Sequence, residues 1–364
     1  MPNQSVNNEI FFKRQTTLKE IGKKGQQKLQ QAKVAIVGCG GLGSIASVYL
    51  AGSGVGTIHL IDYDTIDASN LHRQVFYTIK DIGKPKASVL SEHIVKITPF
   101  TKVITTNQAI EKNNIDSILN AYEIVLDCTD NLSIKYLLND YCVSNDKTLI
   151  YGSLFKFDGY VATFNFFLNG RRTANLRDAF PEIPKNTIPN CSEIGTLNTI
   201  VGIIGLHQAN ETLKIITETG KPLVNQIVIY NTLDNNQFKM KISPKFTKEQ
   251  VTKIYNNENY ITNNCDYQKE ELLITKEELK NKLNNENVKF ISVIEDINTK
   301  LPFDKVHKIP LSKLKENPIS LEKDKQYIII CNKGISSYDA TLFLKKLHPN
   351  TSILSLKNGI NSFL

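Results

Sequence analysis

KVAIVGCGGLGSIASVYLAGSGVGTIHLIDYDTIDASNLHRQ, residues 33–74, decides the fold. The apolar run Val34–Val37 reads as a buried strand and leads into Gly38-Cys39-Gly40-Gly41-Leu42-Gly43. A segment of helical length follows, then a second apolar run, Thr57–Ile61, ending on Asp62. Strand, glycine turn, helix, strand and acid compose a nucleotide-binding βαβ unit. Glycines permit the tight bend and let a phosphate approach the N–H groups at the helix start, where the dipole favours negative charge. Asp62 lies 19 residues beyond Gly43, where a carboxylate accepts hydrogen bonds from ribose hydroxyls.

A lone G-x-G-x-x-G would suit a nicotinamide or flavin enzyme equally well. The residues after Asp62 change that reading. Asp64, then Ser69-Asn70-Leu71-His72-Arg73-Gln74, then Asp81-Ile82-Gly83-Lys84-Pro85-Lys86 place an amide, a guanidinium and an ammonium just past the second strand. A site gripping a triphosphate needs such a cluster, whereas a redox unit does not. A further strand, Glu123–Asp127, runs into Cys128-Thr129-Asp130-Asn131. It sets another carboxylate at the carboxyl edge of the sheet, where open α/β sheets bind ligands.

Five motifs in this order (the glycine turn, the acid after the second strand, SNLHRQ, IGKPKAS and DCTDN) resemble the ubiquitin-activating-type adenylyltransferases, nearest the MoeB/ThiF group, over residues 8–240. The resemblance implies ATP-dependent adenylation of the C-terminal carboxylate of a small ubiquitin-fold sulfur carrier, with the molybdopterin-synthase small subunit type favoured and the thiamine type as the alternative. It places Gly38, Gly40, Gly41 and Gly43 around the phosphates and Asp62 on the ribose. Asn70, Arg73 and Lys86 then meet the triphosphate with Gln74 beside them, and Asp130 holds Mg²⁺. Arg14, in Arg14-Gln15, resembles an arginine that reaches the phosphates from a partner subunit, which implies a homodimer. Cys191 matches a position where some relatives have a cysteine that bonds the activated carrier, although no cation adjoins it in sequence to activate the thiol. For Lys86 the plain alternative is a solvated helix residue, and for Asp130 a helix N-cap before Asn131.

Two other readings stand beside this one. The chain could activate a peptide or a carrier for conjugation without sulfur, or it could be a non-catalytic ATP-binding scaffold that docks a carrier to a sulfur donor. A pure scaffold needs none of Asp62, Asn70, Arg73, Lys86 and Asp130.

Composition fits an ordinary soluble protein of 364 residues, 22% charged and 41% hydrophobic, long enough for one large domain and a smaller one. The net charge of +8 is spread along the chain, and no basic block suggests a nucleic-acid groove. Only five of the 44 basic residues are arginine, and Arg14 and Arg73 both fall in the motifs, where a planar fork matters. The N-terminus lacks a signal-peptide pattern, no apolar run reaches membrane-spanning length, and six scattered cysteines suit a reducing cytosol.

Alternating strand and helix patterns up to Ile150 argue for a Rossmann-like, mostly parallel α/β sheet, and short runs over Tyr151–Phe167 for antiparallel edge strands. A helix is expected over Asn198–Thr217, with Gly202, Gly205 and Ala209 allowing close packing. Members of the resembled family often hold a structural zinc with two C-x-x-C pairs. Here Asn175 and Asp178 stand where thiolates would be, and downstream only Cys265 appears, so no zinc is expected. Residues 8–244 thus form the adenylyltransferase-like domain, and the Asn-rich 245–270 reads as a linker. Residues 271–364 resemble a rhodanese domain, with Cys331 placed after a strong strand, Tyr327–Ile330, and ahead of a helix, Tyr338–Leu347. A cysteine so placed, cradled by backbone N–H groups, can hold a thiolate or persulfide. Ser336 stands where the rhodanese loop has its arginine. That departure favours sulfur from a protein donor such as a cysteine desulfurase over thiosulfate, with an inert docking domain as the alternative.

Overall fold

Apolar runs flanking the glycine turn form the centre of a large sheet in the computed structural model, which describes residues 7–183, 195–260, 270–332 and 334–360. The chain divides into two units, Met1–Tyr260 and Ile261–Leu364. In the first, five parallel strands, β1 (Lys33–Val37), β2 (Thr57–Ile61), β3 (Lys102–Thr106), β4 (Ile124–Asp127) and β5 (Thr148–Phe155), lie in the order β3-β2-β1-β4-β5. The strand order reverses between β1 and β4, so the switch point falls where the glycine turn leaves the sheet.

Side chains of β1 alternate between two cores. Val34 and Ile36 join the core under α4 (Gly41–Gly52), α5 (Lys86–Ile97) and α9 (Asn198–Thr217), whereas Ala35 and Val37 join the core under α6 (Ile115–Leu119) and α7 (Leu132–Ser144). Strands buried on both faces need no polar alternation, which is why their sequence is a continuous apolar run. On α9, the backbone of α4 approaches so closely that a Cβ on Gly205 would lie 2.8 Å from the Leu42 carbonyl, whereas Gly202 meets only Ile45, at 3.8 Å.

Beyond β5 the sheet turns antiparallel through β6 (Asp158–Phe164), β9 (Gln226–Asn231) and β10 (Asn236–Lys241), while β7 (Phe167–Leu168) and β8 (Arg171–Arg172) make a separate two-stranded hairpin. The antiparallel extension expected within Tyr151–Phe167 is therefore β5 with β6, but the true edge is β10. That strand is exposed along nearly its whole length, so its sequence carries no buried face to read.

A short helix, α8 (Leu176–Ala179), precedes α9. The expected linker over 245–270 is corrected by α10 (Lys248–Asn257), which lies against α7 in the first unit. Thr247 and Gln250 cap it reciprocally, Val251 is buried, and the Tyr255 ring lies 6.2 Å from that of Tyr141. The Val251/Tyr255 stripe is only two residues wide, too narrow to stand out in an Asn-rich background.

At the N-terminus, α1 (Asn8–Phe11), α2 (Lys13–Thr16) and α3 (Gly22–Gln31) follow one another, and α3 lies against α9. Phe12 sits against Gly54, whose φ of +88° and lack of a side chain admit the ring, and Phe11 and Phe12 meet Phe100 at 5.3 and 5.4 Å. Gln15 Nε2 donates to the Ser53 carbonyl (3.0 Å).

The second unit is a parallel five-stranded sheet in the order β11-β15-β14-β12-β13: β11 (Leu273–Ile274), β12 (Val288–Ser292), β13 (Val306–Lys308), β14 (Gln326–Ile330) and β15 (Ser352–Leu356). Its helices are α11 (Lys276–Lys280), α12 (Leu311–Glu316) and α13 (Ile335–Leu347). The interior of β14, Ile328–Ile330, is wholly buried, and Cys331 follows it directly. Among the described residues no helix is long and apolar enough to cross a membrane.

Candidate active site

Each glycine of the turn answers to a different neighbour. Gly38 has φ +93°, and a Cβ there would lie 2.7 Å from the Cys128 carbonyl oxygen at the end of β4. A Cβ on Gly43 would collide with the Gly38 carbonyl, and one on Gly41 with Val201 of α9. The turn is thus pressed onto the end of β4 and under α9. Gly40 is the open member, with only Gln74 Nε2 near a Cβ, at 3.4 Å.

Asp62 closes the turn from below. Its Oδ2 accepts the Cys39 N–H (2.6 Å) and its Oδ1 accepts the Asp64 N–H (2.8 Å). Burial pushes this carboxyl above the usual range, partly offset by the Lys86 ammonium. Lys86, the first residue of α5, is itself buried, and its Nζ pairs with Asp64 Oδ2 at 2.8 Å. Burial alone would lower its pKa, but the charges of Asp62, Asp64 and Asp130 and the hydrogen bond to Asp64 outweigh it, so Lys86 stays an ammonium. Tyr77 holds the two pieces together by donating to the carbonyls of Cys39 (2.6 Å) and Lys86 (3.3 Å).

The segment after β2 gathers around the Asn70 amide oxygen. It accepts from Arg73 Nη2 (3.2 Å) and Gln74 Nε2 (3.1 Å), while Arg73 Nη1 donates to the Ser69 carbonyl (3.1 Å). Gln74 is buried, and its Oε1 has no hydrogen-bond partner among the described residues. A buried orphan acceptor costs free energy unless a donor reaches it.

Asp130 is exposed just beyond β4. It is not the cap of α7: Asn131 is, its Oδ1 accepting the Ile134 N–H at 3.2 Å. That leaves the Asp130 carboxylate unspent. Among the described residues no group of three or more His, Cys, Asp or Glu could hold a metal. A single carboxylate fits Mg²⁺, which keeps several waters and takes its other oxygens from substrate phosphates.

Beneath Asp130 lies a hub that sequence reading missed. Asp127 is fully buried and accepts from Lys135 Nζ (3.1 Å) and from the N–H and hydroxyl of Thr129 (3.1 and 2.8 Å). Lys135 also donates to the Gly152 carbonyl (2.6 Å) and stands 4.9 Å from the Tyr151 ring centre. Gln208 of α9 donates to the Asp127 carbonyl (2.8 Å). The visible signal is an acid at a strand end with a lysine eight residues on, in the helix that follows.

Arg14 is not brought to this cluster within one chain. It is exposed on α2, and its neighbours Phe12 and Gln15 bind the far end of α4, whose twelve residues span about 18 Å from the glycine turn. Cys191 lies outside the described residues.

In the second unit Cys331 is buried, its Sγ 3.1 Å from the Gly334 N–H that donates to it and 3.2 Å from Ser337 Oγ. Ser355 Oγ in turn donates to Ser337 Oγ (2.9 Å). Gly334 has φ +84°, and a Cβ there would lie 2.8 Å from the Asn358 nitrogen, so this loop is closed down on residues 358–359.

Fold and site together define a Rossmann-type α/β protein whose glycine turn is ringed by polar and charged side chains. Comparison with known proteins then gives the family. The ThiF family pattern matches residues 12–251, and the chain belongs to that family. It is 33% identical over 362 residues to a probable molybdopterin-synthase adenylyltransferase of Porphyra purpurea, spanning 97% of this chain and 92% of the relative. It is also 35% identical to a sulfur carrier protein adenylyltransferase of Thermus thermophilus, over 64% of this chain and 86% of that protein. Among solved structures, E. coli MccB with MccA-N7isoASN superposes with a TM-score of 0.58 at 23% identity, covering 67% of this chain and 75% of that one, a likeness of fold.

Proposed function

We propose that this protein is an adenylyltransferase that activates the C-terminal carboxylate of a small ubiquitin-fold sulfur carrier with ATP, with the molybdopterin-synthase small subunit as the favoured carrier. The observation that carries this reading is the meeting of Asp62, Lys86, Arg73, Asn70 and Gln74 around one glycine turn at the switch point of the sheet. The names of the relatives point the same way.

The carrier carboxylate is already ionised at neutral pH, so no general base is needed. It attacks the α-phosphorus of ATP, forming a carboxylate–phosphorus bond as the bond to the pyrophosphate oxygen breaks. Positioning and charge neutralisation therefore supply the catalysis. Asp62 takes the ribose and the open Gly40 corner the phosphates. Arg73 grips phosphate oxygens through its fork, and Lys86 leaves Asp64 to neutralise charge as a point cation. Asp130 would hold Mg²⁺, which offsets charge on the departing pyrophosphate. Gln74 Oε1, lacking a donor, is placed to accept one from the nucleotide. Arg14 is supplied by the other subunit of a homodimer, since its own chain keeps it at the far end of α4.

The second unit accepts sulfur. The Cys331 thiolate attacks the terminal sulfur of a donor persulfide, such as that of a cysteine desulfurase, and the donor thiolate leaves. The Gly334 N–H and Ser337 hydroxyl beside Sγ support that role. A cytosolic setting suits the free thiol.

Carrier-dependent ATP–pyrophosphate exchange tests the first activity. It is expected to require the carrier and to collapse in Asp130→Ala; no exchange in the wild type would leave a docking scaffold, and exchange surviving unchanged in Asp130→Ala would remove that residue from the site. For the second unit, sulfur-labelled desulfurase should label Cys331, and absence of label would make this a docking domain.

A further inference from the structure

The resembled family implies a metal joint, and the residues of this chain do not fit one. Asn175 and Asp178, where a thiolate pair would stand, are engaged with each other and with a distant segment. Asp178 Oδ2 accepts both the N–H and the Nδ2 of Asn175 (2.8 and 2.9 Å). Its Oδ1 accepts the N–H groups of Lys245 (2.6 Å) and Phe246 (2.8 Å), 67 and 68 residues downstream. A carboxylate has about four lone-pair sites, so Asp178 has none left for a cation. Soft tetrahedral ligands, which zinc needs in a structural site, are absent at these positions.

A second buried contact lies next to the first. Arg177 forks onto Asp140 of α7, with Nε donating to Oδ1 (2.8 Å) and Nη2 to Oδ2 (2.6 Å). Tyr260, the last residue of the first unit, donates its hydroxyl to the same carboxylate (2.5 Å). Arg177 Nη1 reaches the Pro181 carbonyl (2.8 Å) and its guanidinium lies 5.0 Å from the Tyr136 ring centre. Arg177 and Asp140 are paired charges, Asp178 is satisfied by four neutral N–H donors, and the donors around both acids are backbone or planar groups whose geometry the fold sets.

From this geometry we infer that a metal-free clasp, centred on Asp178 and the Arg177–Asp140 pair, does the work of a zinc joint here, locking α8 to residues 245–246, which lead into α10, and to α7. The inference is independent of the catalytic reading. It predicts three results for the full chain. Purified protein contains less than about 0.1 equivalent of zinc, and a strong chelator moves its melting temperature by less than about 1 °C. Amide exchange at Lys245 and Phe246 is slow in the wild type and speeds up about tenfold or more in Asp178→Asn, while β1 and β2 amides keep their protection. Near-stoichiometric zinc whose removal lowers the melting temperature would overturn the clasp. So would fast exchange of those two amides in the wild type, a result that needs no variant, or unchanged exchange in Asp178→Asn.

Discussion

Arg73 and Asp62 show how the proposed site shares its work among neighbouring groups. Arg73 is oriented by Ser69 and Asn70 before any substrate arrives, so Arg73→Ala should lower carrier-dependent exchange by about 10²–10³-fold, the scale of losing one preorganised charge donor. Exchange within threefold of wild type would remove Arg73 from the site. Asp62 makes the opposite kind of contribution. Burial raises its pKa on folding, so between the ordinary carboxyl value of 3.8 and the folded one the native state binds more protons than the unfolded. Its contribution to stability is therefore complete below about pH 3.8 and is lost as pH rises through the folded pKa. Asp62→Asn should bind ATP far more weakly yet melt no lower than wild type at pH 7, an advantage that shrinks on acidification; melting curves at several pH values read this directly. Asp62, Asn70, Arg73 and Lys86 were legible because chemistry at a sheet edge demands polar residues at set distances from a glycine turn. Asp127 and Lys135 were not, since only the packed fold brings the end of β4 and the inner face of α7 together.

Elements differ in how plainly sequence declares them. β1, β2 and β14 are buried on both sides and read as apolar runs, and Asn198–Thr217 matches α9 at both ends. β10 has no buried face, and α10 hides its stripe among asparagines, so both escape notice. The α7–β4 junction carries its own prediction. Lys135→Met leaves Asp127 buried without its cation and should cost about 3–5 kcal/mol, whereas adding Asp127→Asn should recover much of that loss. Urea melts of the two variants decide it, and equal destabilisation in both would mean that the pair is not a unit. Thr129→Val keeps the ion pair but frees the turn bearing Asp130; the expected result is normal stability with a several-fold higher Mg²⁺ requirement in exchange assays.

At the scale of the whole molecule, the role proposed for Arg14 calls for a second chain. If each site takes Arg73 from one subunit and Arg14 from the other, Arg14→Ala and Arg73→Ala proteins should each be nearly inactive alone. Mixed and allowed to exchange subunits, half the dimers are hybrids with one intact site, so about a quarter of wild-type activity should return. No recovery after verified exchange would place Arg14 outside the reaction.

The clasp at Asp178 has a bearing on how sulfur moves. If Cys331 carries a transferable sulfur atom, any accessible thiolate elsewhere is a place where that atom could be lost by exchange. Cys39, Cys128 and Cys142 are buried, and burial pushes all three thiols well above their ordinary range. With oxygen and nitrogen fastening Asn175–Asp178 to 245–246, that fastening offers no competing nucleophile and nothing for an oxidant or a metal chelator to strip away. Cargo bound for the carrier then meets no decoy there.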